Sequence, residues 1–116
     1  MSIAMVSGGA LVSYTRNLDE TVVAVKTAEG KLYGLTIAND QAAVTYIQIF
    51  NVASGSVTLA TTVPVMQIRV PASSHYDVVL PAVGIGFTTA ISIAATTAEF
   101  GNTGSNDGVV VSALYA

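Results

Sequence analysis

One short segment holds the only histidine of the chain, in the order Ser73, Ser74, His75, Tyr76, Asp77. These residue types are those of a Ser/His/Asp triad, in which the histidine must lie between the nucleophile and the carboxylate. Side chains of neighbouring residues in a strand point to opposite faces, so Ser74 and His75 are expected to diverge. We therefore predict that His75 is a surface or interface residue and not a general base.

The acidic residues show no pattern of paired catalytic carboxylates. Asp19 and Glu20 are adjacent before the first predicted strand, which is typical of a solvated turn. Folding could bring Asp77 near Glu99 or Asp107, and the sequence leaves that open. We predict that the protein is not an enzyme.

The sequence also offers little to a metal ion or a phosphate group. The chain has no cysteine and one histidine, so thiolate sites are excluded and a transition-metal site is not expected. Asn102–Asp107 could supply oxygen ligands to calcium but lacks the acidic density of calcium loops, which favours a hairpin turn. Gly84 and Gly86 precede a predicted strand, so no helix N-terminus is available to hold phosphate. We predict no metal and no cofactor.

Alternation with period two dominates the chain and predicts an all-β fold. β-branched and aromatic residues recur at every second position, and Gly, Pro, Asn and Asp separate the runs. About eight short strands, Val57–Ala60 among them, with no helical segment predict an antiparallel β-sandwich or jelly roll. In the predicted strand Lys31–Asn39, Tyr33, Leu35 and Ile37 are expected to share one face. The predicted core consists of Leu35, Ile37, Ile47, Ile49, Met66, Ile68, Val78, Leu80, Ile85, Phe87, Ile91 and Ile93.

Residues 1–17 do not show this alternation, and they carry no charged side chain before Arg16. We predict an extended N-terminal arm over residues 1–17 and a single β-sandwich domain over residues 18–116. The apolar residues of the arm are the predicted partner-binding residues: Ile3, Met5, Leu11, Val12 and Tyr14. The segment lacks the positively charged start of a signal peptide, so neither export nor membrane insertion is expected.

Charge is unusually sparse. Only 9% of the 116 residues are charged, against about 25% in ordinary globular domains. Val44–Asn51 and Gly108–Tyr115 read as strands that are apolar on both faces, a pattern expected of a covered sheet or an interface. We predict a homo-oligomer. The net charge of −3 argues against binding to nucleic acid, which needs clustered Lys and Arg.

Four segments together resemble a known family: Lys31–Asp40, Val44–Asn51, Thr58–Ala72 and Gly84–Thr97. They are similar to small β-sandwich virion proteins of tailed bacteriophages, in which a Tyr-x-Gln-x-Phe-Asn strand precedes a Thr-x-Pro turn. A Gly-Ile-x-Phe and Ala-x-Ser-x-Ala-x-Thr-Thr run comes after that turn. The likeness covers roughly residues 30–97, and the closing strand at Tyr115 fits as well.

The resemblance implies a capsid decoration (cement) protein that is made in the host cytoplasm and binds the assembled head. It also implies a trimer and a major capsid protein, or another virion protein, as partner. An alternative is a carbohydrate- or receptor-binding module of a tail or head fibre, which would need several aromatic residues exposed together. A small hydrolase is the third hypothesis, and the poor match to any catalytic motif disfavours it.

Overall fold

The computed structural model describes the backbone of Ser2–Met5 and both backbone and side chains of residues 10–104 and 108–116. Residues 105–107, which belong to the predicted hairpin turn, lie outside the described residues. The described chain is almost all β, with one short 3-10 turn at Ser54–Ser56. Its ten strands are β1 Ser2–Met5, β2 Leu11–Thr15, β3 Val23–Lys26, β4 Gly30–Asn39, β5 Thr45–Phe50, β6 Met66–Val70, β7 Ser74–Val79, β8 Ile85–Phe87, β9 Ile91–Thr96 and β10 Val109–Tyr115.

These strands form two antiparallel sheets. Sheet A has the order β1-β2-β10-β4-β7, with β8 also paired to β4, and sheet B has the order β3-β9-β5-β6. The pairing is nested, because β2 pairs with β10, β3 with β9, β4 with β7 and β5 with β6. A long hairpin rolled up in this way is a jelly roll, in which two sheets enclose one core. The predicted all-β sandwich is confirmed.

The core lies between the two sheets and follows the alternation of the strands. In β10, Val109, Val111, Ala113 and Tyr115 are buried, while the residues between them are half-buried. Most of the predicted core is buried in the structure, and the four exceptions pack against it while partly exposed: Met66, Val78, Leu80 and Ile85. The buried residues outside the predicted core include Phe50 and Tyr115, and also Leu18, which is 1% exposed although it stands outside any strand.

A β-bulge changes the inner face of β4. Leu32 pairs with Tyr115 and Gly34 with Leu114, so Tyr33 is the extra residue. Leu32 is consequently buried and Tyr33 half-exposed. The sequence placed Tyr33 on the same face as Leu35 and Ile37, which is wrong because a bulge interrupts strict alternation.

Two other segments differ from the sequence prediction. Leu11–Thr15 was assigned to an arm, but it forms β2 and pairs with β10 over five residues, from Thr15 with Val111 to Leu11 with Tyr115. The polar residues Ser13 and Thr15 are its buried positions, so the apolar alternation that marks a strand is missing there. Val57–Ala60 was predicted to be a strand and instead forms part of the irregular β5–β6 connection.

Across the described parts of the chain, the structure contains no helix with the length and hydropathy needed to cross a membrane.

Candidate interaction surface

The outer face of sheet B is covered by the chain itself. Phe50, Gln48, Ser92, Ala94 and Thr96 point away from the core, yet all are fully buried. Two connections lie over them, β5–β6 (residues 51–65) and the first part of β9–β10 (residues 97–104). The chain's own connections therefore cover the centre of this face, while Arg69 of β6 remains exposed on it.

Amide side chains hold both connections in place. The Gln48 Nε2 group donates to Thr96 Oγ1 at 2.8 Å and to the Gly101 carbonyl at 3.2 Å. The Asn51 Oδ1 atom accepts the Thr89 N–H at 2.9 Å, and its Nδ2 group donates to Thr88 Oγ1 at 3.0 Å. Gln48 and Asn51, the amide residues of the Tyr-x-Gln-x-Phe-Asn strand, thus hold loops in place by hydrogen bonds. Phe50 of the same strand is buried beneath the connections.

The outer face of sheet A is different, because its side chains remain exposed or half-buried. We call this surface the open face. The register aligns its residues in rows across β2, β10, β4 and β7: Tyr14–Ser112–Thr36–Asp77, Val12–Leu114–Gly34–Val79, and Val110–Ala38–His75 on the last three strands. Val79 is 89% exposed and Tyr14 is 38% exposed.

The open face carries few charges. In its three rows, Asp77 is the only carboxylate and His75 the only basic side chain, while Lys31 is exposed farther along β4, opposite Gly86 of β8. At about 4.8 Å between strands and 3.3 Å per residue, its projected area is roughly 300–400 Å². A standard interface buries about 800 Å² on each partner, so the open face alone suits one contact among several.

The predicted partner-binding residues are divided by the structure. Val12 and Tyr14 lie on the open face. Leu11 is half-buried and packs against the core on the inner side of the same strand. The backbone of Ile3 and Met5 lies in β1, opposite Ser13 and Leu11, and their side chains lie outside the described residues.

The residues that could do chemistry are not brought together. Ser74 and His75 occupy opposite faces of β7, and Ser74 Oγ donates to the Ala72 carbonyl at 3.0 Å. Asp77 lies on the open face, whereas Glu99 lies in the connection over sheet B. Asp107 is outside the described residues. Within residues 10–104 and 108–116, no three His, Asp or Glu side chains are grouped to hold a metal ion.

A shallow groove of about 530 Å³ runs between β6 and β7, where the two sheets separate. Met66 and Ile68 line it from sheet B, and Tyr76 and Val78 line it from sheet A. Both strands are the last in their sheets, so each has one backbone edge that is not paired with a described strand. This is the side on which the sandwich is least closed.

The exposed aromatic residues do not form one platform. Tyr14 is on the open face, Tyr76 is in the groove, and Phe100 is in the connection that covers sheet B. A sugar ring stacks on neighbouring aromatic rings, and here Tyr14 and Phe100 belong to opposite sides of the sandwich. This distribution disfavours the glycan-binding alternative.

No protein-family model, curated protein or solved structure matches this chain.

Proposed function

We propose that this protein is a non-enzymatic virion structural protein, a capsid decoration protein of a tailed bacteriophage that binds the assembled head and stabilises it. The observation that carries the proposal is the asymmetry of the sandwich. The centre of one outer face is covered by the chain's own loops, whereas no described segment covers the other, which carries few charged side chains. A small apolar face of this kind is typical of a surface that another protein covers.

The fold and the size of the open face support the same proposal. Jelly rolls are frequent in viral capsid and lectin domains, although a fold alone does not establish a function. An open face of roughly 300–400 Å² is too small for one tight complex but adequate for a protein that attaches in many copies. Ligands that bind only the intact shell stabilise it by mass action, and linked contacts add avidity.

The proposed partners are other copies of the chain and the major capsid protein or another virion protein. The resemblance of residues 30–97 adds the expectation of a trimer. On this proposal the protein acts on the capsid surface after synthesis in the host cytoplasm.

The first test asks whether the chain is part of the particle. Virions of the phage whose genome encodes it are purified, and the chain is quantified against the major capsid protein by mass spectrometry. We expect a fixed, multi-copy stoichiometry. Absence of the chain from purified particles would refute the proposal.

The second test asks whether the open face makes the contact. Thr36 is exposed at the centre of that face, so Thr36→Lys adds a charge without removing core packing. Thr61→Lys places the same change on the β5–β6 connection, which covers the other sheet. We expect Thr36→Lys to lose binding to particles that lack the protein, while Thr61→Lys binds normally. Equal binding by both variants would show that the open face is not the contact.

A further inference from the structure

We propose that two copies of this chain join edge to edge through β7, antiparallel and centred on Tyr76, so that sheet A continues from one copy into the other. The proposal rests on the homo-oligomer part of the proposed function and does not depend on capsid binding. It names the strand, the register and the side chains that meet.

The hydrogen bonds inside sheet A determine which backbone groups of β7 are free. The Leu80 N–H donates to the Tyr33 carbonyl of β4 at 3.2 Å. Because every second residue of an antiparallel strand addresses the same neighbour, Val78, Tyr76 and Ser74 also point their backbone groups towards β4. The N–H and C=O groups of His75, Asp77 and Val79 therefore point to the outer edge of the sheet.

The ends of β7 limit how far a partner strand can pair. Ser73 has φ 51°, so the extended conformation begins only at Ser74. That start is held in place, since the Ser73 N–H donates to the Gln41 carbonyl at 2.9 Å and Asn39 Nδ2 donates to the Pro71 carbonyl at 3.1 Å. The strand ends at Val79, shortly before Pro81. A partner can thus pair with about five residues.

Among the registers about a two-fold axis that keep the inner faces of both copies on one side, two pair five residues of β7. Centred on Asp77, the register places two carboxylates directly opposite each other, which is destabilising. Centred on Tyr76, it places His75 of each copy opposite Asp77 of the other, and the His75 imidazole can donate to that carboxylate. Charge therefore selects the second register.

The selected register also pairs the outward backbone groups of His75 and Asp77 and covers apolar surface. His75 and Asp77 of the two copies would exchange four N–H to C=O bonds, two in each facing pair. On the inner side, Tyr76 would face Tyr76 of the other copy and Val78 would face Ser74. Tyr76 is 47% exposed in the single chain and lines the groove beside β6, so pairing would close that side of the sandwich.

A two-fold contact joins two copies only. If the protein forms the trimer that the resemblance implies, the β7 contact would link neighbouring trimers. In either case the β7 contact predicts a concentration-dependent association, of two copies or of two trimers, whose dissociation constant depends on residues 75 and 77.

The test compares the full chain with charge variants by sedimentation equilibrium over a wide concentration range. His75→Asp places carboxylates opposite carboxylates in both facing pairs, and we expect the two-copy step to weaken by about tenfold or more. The double variant His75→Asp/Asp77→His again places an imidazole opposite a carboxylate in both facing pairs, and it should restore the association of two copies. Both positions are exposed, so folding should be unaffected, and circular dichroism checks that.

Backbone evidence comes from amide hydrogen exchange and a proline pair. The N–H groups of His75 and Asp77 should become protected as concentration rises. Asp77→Pro removes an outward N–H and should abolish the step, whereas Val79→Pro lies beyond the paired residues and should retain it. A wild-type chain with no concentration-dependent step, or one unchanged by His75→Asp, would refute the proposal. Either result would leave open whether the chain binds capsids.

Discussion

At the scale of single residues, one buried amide and one half-buried amide, Gln48 and Asn51, hold the loops of the covered face. Gln48 is fully buried with its Nε2 group donating twice, while its Oε1 atom has no hydrogen-bond partner within the described structure. Asn51 uses both of its polar atoms, with bonds to Thr88 and Thr89. Neither role is visible in an alternation pattern, because the loops that bury these residues come from distant parts of the chain.

Replacing the Gln48 amide by a carboxyl group should make stability depend on pH. In Gln48→Glu, the new group is buried between two acceptors, the Thr96 hydroxyl and the Gly101 carbonyl, so its folded-state pKa should rise above the unfolded value of about 4.3. Because folding raises the pKa of this acid, the free energy of unfolding falls as pH increases from about 4.3 upwards. Well below that pH the effect is absent. In urea unfolding, the free energy of unfolding of Gln48→Glu should be several kcal/mol below that of the unsubstituted chain at pH 7, but not at pH 4. Gln48→Met, which cannot ionise, provides the control, and a pH-independent loss in both variants would contradict the prediction.

Removing the Asn51 side chain should loosen the β8–β9 turn. In Asn51→Ala, the exposed Thr89 N–H and Thr88 Oγ1 exchange their protein partner for water, and we expect destabilisation by about 0.5–1.5 kcal/mol. Asn102→Ala, at an exposed position, should change stability by less than about 0.5 kcal/mol. Chemical denaturation of both variants checks this. An equal effect of the two substitutions would show that the Asn51 bonds contribute nothing.

At the scale of strands, the close approach of β4 and β7 depends on a glycine. A Cβ atom at Gly34 would lie 2.7 Å from the Val78 carbonyl oxygen, and that backbone atom cannot rotate away. Gly86 in β8 has no heavy atom within 4 Å of the same position. The two strand glycines therefore provide a matched pair.

We expect Gly34→Ala to destabilise the fold by about 1–3 kcal/mol, because β7 must shift away from β4. Gly86→Ala should be neutral or stabilising by up to about 1 kcal/mol, because alanine restricts the unfolded chain without a clash. Thermal unfolding of both variants measures the difference. A stabilised Gly34→Ala variant would mean that the strands are not this close in solution.

Strands whose buried positions are apolar were predictable from the sequence, and the others were not. Ile68 and Val70 of β6 alternate with Gln67 and Arg69, and the strand lies where the pattern placed it. In β2, the buried positions Ser13 and Thr15 are polar, so no apolar rhythm marked the strand. The open face itself could not be predicted, because it depends on which sheet the long connections cross. That is a property of the tertiary fold.

At the scale of the whole molecule, the nested pairing requires strands from distant parts of the chain to pair with each other. β2 at residues 11–15 contacts β10 at residues 111–115, and β3 pairs with β9. Such non-local pairings slow folding, because loop closure precedes the gain from contacts.

We therefore predict that refolding takes milliseconds to seconds, which stopped-flow fluorescence of the tyrosines can follow. Deleting residues 1–9 should leave the stability of the jelly roll largely unchanged, since β2 and β10 remain. Deleting residues 1–15 removes β2 and should cause a large loss of stability. Refolding within microseconds, or equal stability of the two truncated chains, would contradict this view of the topology.

The antiparallel pairing of β2 with β10 has a mechanical consequence. Leu11 is paired with Tyr115, so the start of β2 and the end of β10 lie at the same end of their ladder. A force pulling residues 10 and 116 apart would load one residue pair at a time, and the ladder would unzip at low force. A force applied through the open face would be shared by four strands at once. If the protein holds another structure under tension, an attachment through the open face should resist a higher force than an attachment through residues 10 and 116.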